Sequence, residues 1–264
     1  MKMYQIALCS LLTACIALPA QALTADEIMQ RVDALAKPAA VRSTLTMVLV
    51  DSRGKQRVRE LQSTRINSAE VDKSLMFFLA PADVRGTGFL LFDYQAAEQD
   101  DDQWMYLPAL RKAKRIGSSD KTGSFMGSDF SYADMSKRNL AEWTYQLVKQ
   151  DRVGELPVWV IESTPINQAV RDKTGYARSI GYIRQDNYQL IRAINYLPQN
   201  GALKLVNVSE SIEIDGFWFA TETQMVAQKD GQTVHRTLLK ITNVELDGDV
   251  DDNDFSLNRL EQGL

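Results

Sequence analysis

Few residues in this chain have the type and spacing for catalysis. The one histidine, His235, sits near an Asp230-Gly231 turn, on a strand-like stretch whose face it shares with Thr237, Leu239 and Ile241. No second histidine or nearby cysteine could complete a nucleophile and base pair with it. Ser128-Asp129 lacks the flanking glycines and the strand–turn–helix setting of a nucleophile elbow. The run Asp247-Gly248-Asp249-Val250-Asp251-Asp252-Asn253-Asp254 alternates acids as a calcium loop does. Counted from Asp247, however, the sixth position is Asp252 rather than glycine and the twelfth is Asn258 rather than glutamate. It reads as an acidic turn before Phe255, Leu257 and Leu260 dock at the end of a sheet, and Asp100-Asp101-Asp102 reads as a second such turn. No catalytic residue, metal or cofactor is expected, and a lipid hydrolase working through His235 or Ser128 is kept only as an alternative.

The stronger signals are apolar and basic. Phe77 and Leu79, Phe89 and Leu91, Trp104 and Tyr106, Trp159 and Ile161, and Ile191 and Ala193 alternate along strand-like stretches. Ordinary core packing explains such pairs. A curved sheet with few helices cannot fill its own hollow, though, and an unfilled apolar hollow is the usual form of a ligand site. These residues are therefore the expected cavity lining, although the alternate positions Phe78, Leu90 and Met105 are also apolar. Residues 117–135 hold Phe125, Met126, Phe130, Tyr132 and Met135 among Gly117, Gly123 and Gly127. Large apolar side chains in a glycine-rich stretch must dock on something, and the expectation is a lid that docks only partly. Arg111, Lys112, Lys114 and Arg115 form either a solvated turn or a contact for anionic headgroups or an acidic partner.

The elements that must position these groups are mostly strands. Thr24 with Glu27 forms a capping box for a helix over 24–36, with Ile28, Val32 and Leu35 on one face. From about residue 44 the period becomes two. Strands are expected at 44–49, 56–66, 73–80, 89–94 and 104–107. Further strands are expected at 142–150, 156–164, 176–186, 189–197, 202–214, 217–228 and 233–244. Asn200-Gly201, Asp215-Gly216 and Asp230-Gly231 are hairpin dipeptides. The chain of 264 residues is 45% hydrophobic and 24% charged with a formal net charge of −4, a globular composition that argues against a nucleic-acid binder.

Lys2, an apolar run to Leu18, Pro19 and the small-residue site Ala20-Gln21-Ala22 have the layout of a cleaved signal peptide, residues 1–22, leaving a mature domain over 23–264. A rival reading takes Leu12-Thr13-Ala14-Cys15 as a lipobox, with the chain anchored through Cys15. Both cysteines, Cys9 and Cys15, lie in this segment, so the mature chain has no thiol chemistry. No transmembrane segment is expected in it.

WMYLPALRKAKRI (104–116), SFMGSDFSYADM (124–135) and, upstream, FLAPADVRGTGFLLFDY (78–94) resemble the periplasmic outer membrane lipoprotein-sorting protein family, a relative of the carrier LolA. The resemblance implies a mainly β fold: a single curved antiparallel sheet, or incomplete β-barrel, covered by an N-terminal helix and a helical or loop lid, as in LolA and LolB. It implies a periplasmic carrier that binds lipoprotein acyl chains or other lipids for transport toward the outer membrane. The alternative it leaves open is an accessory subunit of an RND-type exporter, with an inner-membrane transporter as partner.

Overall fold

The computed structural model describes residues 23–96, 98–199, 201–246 and 248–264. The expected signal peptide, with Cys9, Cys15 and Ala20-Gln21-Ala22, lies outside them, as do Asn200 and Asp247.

Helix α1 (Ala25–Asp33) starts where the sequence places it. Thr24 Oγ1 accepts the Glu27 N–H, and the Glu27 carboxylate accepts the Thr24 N–H at 2.8 Å, a reciprocal capping box. Ile28 is fully buried. Two meanders follow. The first comprises β1 (Ala40–Asp51), β2 (Gln56–Ile66), β3 (Val71–Ala80), β4 (Gly88–Tyr94), β5 (Asp102–Leu107) and β6 (Lys112–Arg115). The second comprises β7 (Trp143–Val153), β8 (Leu156–Pro165), β9 (Arg178–Arg184), β10 (Leu190–Tyr196), β11 (Ala202–Ile214), β12 (Phe217–Lys229) and β13 (Gln232–Leu246). Helix α2 (Gln168–Thr174) follows β8 and α3 (Leu257–Gln262) closes the chain. At Asp215-Gly216 and Asp230-Gly231 both residues have positive φ, between 50° and 83°, the geometry that matches a two-residue hairpin to strand twist.

All strands belong to one antiparallel sheet of 13, ordered β6-β5-β4-β3-β2-β1-β13-β12-β11-β10-β9-β8-β7. The sheet is curved and does not close into a barrel. β1 pairs with β13, Leu45 opposite Ile241 and Leu49 opposite Thr237. The chain must therefore leave β6 at one edge and re-enter at β7, the opposite edge. A flat sheet of 13 strands would separate those edges by roughly 58 Å. Residues 116–142 make this passage across the inner face, which explains their apolar content.

The inner face of the first meander carries the largest core cluster, including Met47, Leu61, Phe78, Phe89, Leu91 and Met105. On the outer face Leu75, Phe77 and Leu90 pack against Phe255 and Leu260 of the C-terminal segment. Contact is so close there that a Cβ on Gly88 would lie 2.6 Å from Leu260 and 2.8 Å from Phe77. Leu257, expected to dock with them, is exposed. Under α1, Ile28 and Ala25 pack on Ile161 and Ile183 of the second meander.

Three local differences from the sequence reading have physical causes. The basic turn at Lys112 is a short edge strand paired with β5, Leu107 opposite Lys112 and Trp104 opposite Arg115. Helix α2, over a stretch where no element is expected, is capped by Asn167, which accepts the Val170 N–H at 3.0 Å. Helix α1 stops at Asp33, before Leu35.

Candidate functional site

The crossing segment is fitted against the inner face as a plug, with Phe125 and Phe130 buried and Met126, Tyr132 and Met135 half-buried. Phe125 is 1% exposed and its ring meets Phe89 edge-on at 5.1 Å and Tyr132 at 5.7 Å. Phe130 joins the same core, and Met126, Tyr132 and Met135 pack on it half-buried. The backbone is tied internally by Phe125 N–H to Phe130 carbonyl at 2.7 Å, Tyr132 N–H to Gly123 carbonyl at 3.1 Å and Ala133 N–H to Lys121 carbonyl at 2.8 Å. Of its three glycines only Gly127 has positive φ, 75°.

Polar side chains pin the plug to the sheet. Asp129 accepts the Thr237 hydroxyl at 2.7 Å and lies 2.8 Å from His235 Nδ1, while its own N–H donates to Thr237 Oγ1 at 3.0 Å. Arg59 on β2 donates to the Met126 carbonyl, and burial pushes its guanidinium pKa down. Lys121 pairs with Asp101 at 2.6 Å, both side chains buried. Burial pushes the Asp101 carboxyl up, but hydrogen bonds from Lys121, Ser136 and Gln103 outweigh it and hold the group below its ordinary range. His235 and Ser128 thus have structural partners. Ser128 Oγ donates to the Phe125 carbonyl at 2.7 Å, and among the described residues the imidazole has only Asp129 as a hydrogen-bond partner.

Between plug, α1 and the inner face of the second meander lies a cavity of about 630 Å³. That is within the range of roughly 300–1,000 Å³ for small-molecule sites. Its apolar wall is made by Met29 and Val32 of α1, Phe130 of the plug, and Ile161, Ile183, Leu190, Ala193, Val206 and Met225 of the sheet. Polar groups also line it, among them Asp93, Lys137, Arg138, Ser163, Ser179 and Asn195. Asp93 accepts the Lys137 N–H at 2.6 Å, and burial pushes its carboxyl up to about 6.

The structure brings together only part of the expected lining. Ile161 and the plug residue Phe130 face the cavity. Phe89 and Leu91 lie on the inner face but beneath the plug. Phe77, Trp104 and Tyr106 are corrected to the outer face, in the cluster under α3. Leu79 is half-buried near the end of β3. Trp159 stacks on Tyr188 at 5.4 Å beside α1, outside the cavity wall. Ile191 does not share a face with Ala193. The register shifts between Leu190 and Arg192, so Ile191 packs with Val158 and Val160 on the other side.

The basic residues stand at the β6 edge, all exposed. Arg115 pairs with Asp102, whereas Arg111, Lys112 and Lys114 have no carboxylate within ion-pair distance among the described residues. The acidic run is used structurally. Asp252 pairs with Lys73 at 2.6 Å and Asp251 caps the Asn253 N–H at 2.9 Å. Asp93, Lys121 and Arg138 give no signal in the sequence because none belongs to a motif.

No curated protein matches the chain. Among solved structures, a domain from Vibrio parahaemolyticus described as an outer membrane lipoprotein-sorting protein is 28% identical, with a TM-score of 0.81 over 90% of this chain and 98% of its own. A DUF1329 family protein from Desulfovibrio piger is 28% identical, with a TM-score of 0.81 over 89% and 97%. A LolA superfamily protein from Nitrosomonas europaea, 19% identical over 89% and 98%, shares the fold at a TM-score of 0.66. A family model described as an uncharacterized protein matches residues 70–262. The chain belongs to that family, and it is built on the LolA-like fold of the outer membrane lipoprotein-sorting proteins.

Proposed function

We propose that the protein carries lipoprotein acyl chains or other lipids in this cavity toward the outer membrane, after export to the periplasm and removal of residues 1–22. The observation that carries the reading is the mainly apolar hollow of about 630 Å³ held between α1, the plug and the sheet. Each methylene moved from water into such a site is worth about 0.8 kcal/mol, so one long acyl chain supplies enough free energy for capture. Mass spectrometry of lipid retained by the natively purified periplasmic protein, together with binding of an environment-sensitive fluorescent fatty acid, tests it. Bound lipid and saturable probe binding are expected. Folded, lipid-free protein that binds no acyl probe overturns the reading. N-terminal sequencing should give Leu23 as the first residue, and lipid on Cys15 overturns that part.

The exposed Arg111, Lys112 and Lys114 at the β6 edge favour one addition. They suit anionic headgroups or an acidic partner surface at a membrane, which accommodates a role as accessory subunit of an RND-type inner-membrane exporter. Co-purification with such a transporter, lost when the three are changed to glutamate, is the expected result.

A further inference from the structure

One cation on the cavity wall is not neutralised by the fold. Arg138 sits over Trp143, its Cζ 3.9 Å from the ring centroid. Among the described residues it makes one hydrogen bond, to Ser179 Oγ at 3.2 Å, although a guanidinium has five N–H donors. No carboxylate lies within ion-pair distance of it among the described residues. Asp134, whose charge acts on it, is committed elsewhere. It accepts from Ser131 at 2.7 and 2.8 Å and from the Tyr176 hydroxyl at 2.8 Å, and lies 3.8 Å from Lys204. Trp143 is itself 4% exposed, lines the same cavity, and its indole Nε1 is buried without a hydrogen-bond partner. Buried donors without acceptors are uncommon in folded proteins. Here Arg138, half-buried and with donors to spare, lies in contact with that indole on the wall of one cavity.

We propose that Arg138, stacked on Trp143 and tied to Ser179, forms a head-group subsite, and that the ligand is an amphiphile with an anionic head, a carboxylate or phosphate monoester, and an apolar tail lying against Ile161, Ile183 and Val206. This deepens the carrier reading and rests on it. Stacking on an indole leaves the guanidinium edge free for a planar, two-oxygen acceptor. A ligand without an acceptor would bury the cation unpaired, which is costly.

The test is displacement of a fluorescent acyl probe from delipidated protein by palmitate, hexadecyl phosphate, hexadecanol and inorganic phosphate. Palmitate or hexadecyl phosphate should compete roughly tenfold or more better than hexadecanol, as one charge-assisted hydrogen bond supplies. Inorganic phosphate alone should not compete. Arg138→Gln should abolish the discrimination, and Trp143→Phe, which narrows the aromatic face under the guanidinium, should reduce it. Equal competition by acid and alcohol in the wild type overturns the head-group subsite but leaves the carrier reading standing. Competition by inorganic phosphate alone overturns the amphiphile. Absence of any acyl binding overturns both readings. The wild-type comparison decides if Arg138→Gln fails to fold.

Discussion

Asp93 on β4 accepts the backbone N–H of Lys137 at 2.6 Å, fastening the crossing segment to the first meander through a carboxyl whose pKa burial pushes up to about 6. The unfolded value is about 3.9. Between the two values the folded state holds a proton that the unfolded state has released. This group's contribution therefore favours folding at low pH and is lost as pH rises through about 6. Asp93→Asn keeps an acceptor and removes the charge. It should be more stable than wild type at pH 8 by on the order of 1–2 kcal/mol, with the difference gone by about pH 4. Urea unfolding of both proteins at the two pH values checks this, and a difference independent of pH contradicts it.

Phe125 and its neighbours on the plug should separate into two kinds. Phe125→Ala removes a ring that is 1% exposed and should cost about 3–5 kcal/mol of global stability. Met126→Ala with Phe130→Ala strips the half-buried edge and the cavity wall. Far-UV circular dichroism should hardly change, hydrogen exchange over 117–135 should rise, and acyl-probe affinity should shift. Equal rises across the sheet strands would make these residues plain core and end the lid idea.

Ala193 lies on the cavity wall and Tyr106 on the outer face. Ala193→Phe should fill the hollow and reduce acyl-probe binding about tenfold or more while thermal stability stays within about 1–3 kcal/mol of wild type, the cost of modest overpacking. Tyr106→Ala should leave binding unchanged. Titration of the same probe against both variants measures the contrast. Loss of binding in Tyr106→Ala alone would place the site on the other face.

Asp129→Ala removes the acceptor shared by Thr237 and His235. Leaving those groups unpaired should cost about 1–3 kcal/mol, with the largest rise in hydrogen exchange over 123–135. Uniform destabilisation without local loosening would show that the contact does not hold the plug.

The fold was legible from the sequence to a considerable depth because most strands have hairpin chemistry at one end and alternation along their length. The capping box at Thr24 and Glu27, strand 56–66 and the turns at Asp215 and Asp230 needed nothing else. The faces of β3 and β5 were not legible. Residues 74–78 are buried without a break, since the plug covers one side and Leu260 the other, so alternation carries no information there. Phe77 was paired with the wrong side for that reason. Ile191 was misplaced by a one-residue register shift, which flips a side chain without altering the apolar pattern. Arg138 and Trp143 carry no motif; only the fold reveals that the cation lacks a counter-ion.

The passage from β6 to β7 is a chord across an arc, covalently attached to both free edges of the sheet. Lifting the chord and reshaping the arc are therefore one motion. A chord of fixed length would draw the edges together as it rose and narrow the hollow beneath. This one stores length in its short helical turns at Ser118–Asp120 and Ala133–Met135. Such turns advance about 2.0 Å per residue against about 3.3 Å when extended. Unwinding them releases slack, so the arc can widen without either edge losing its strand.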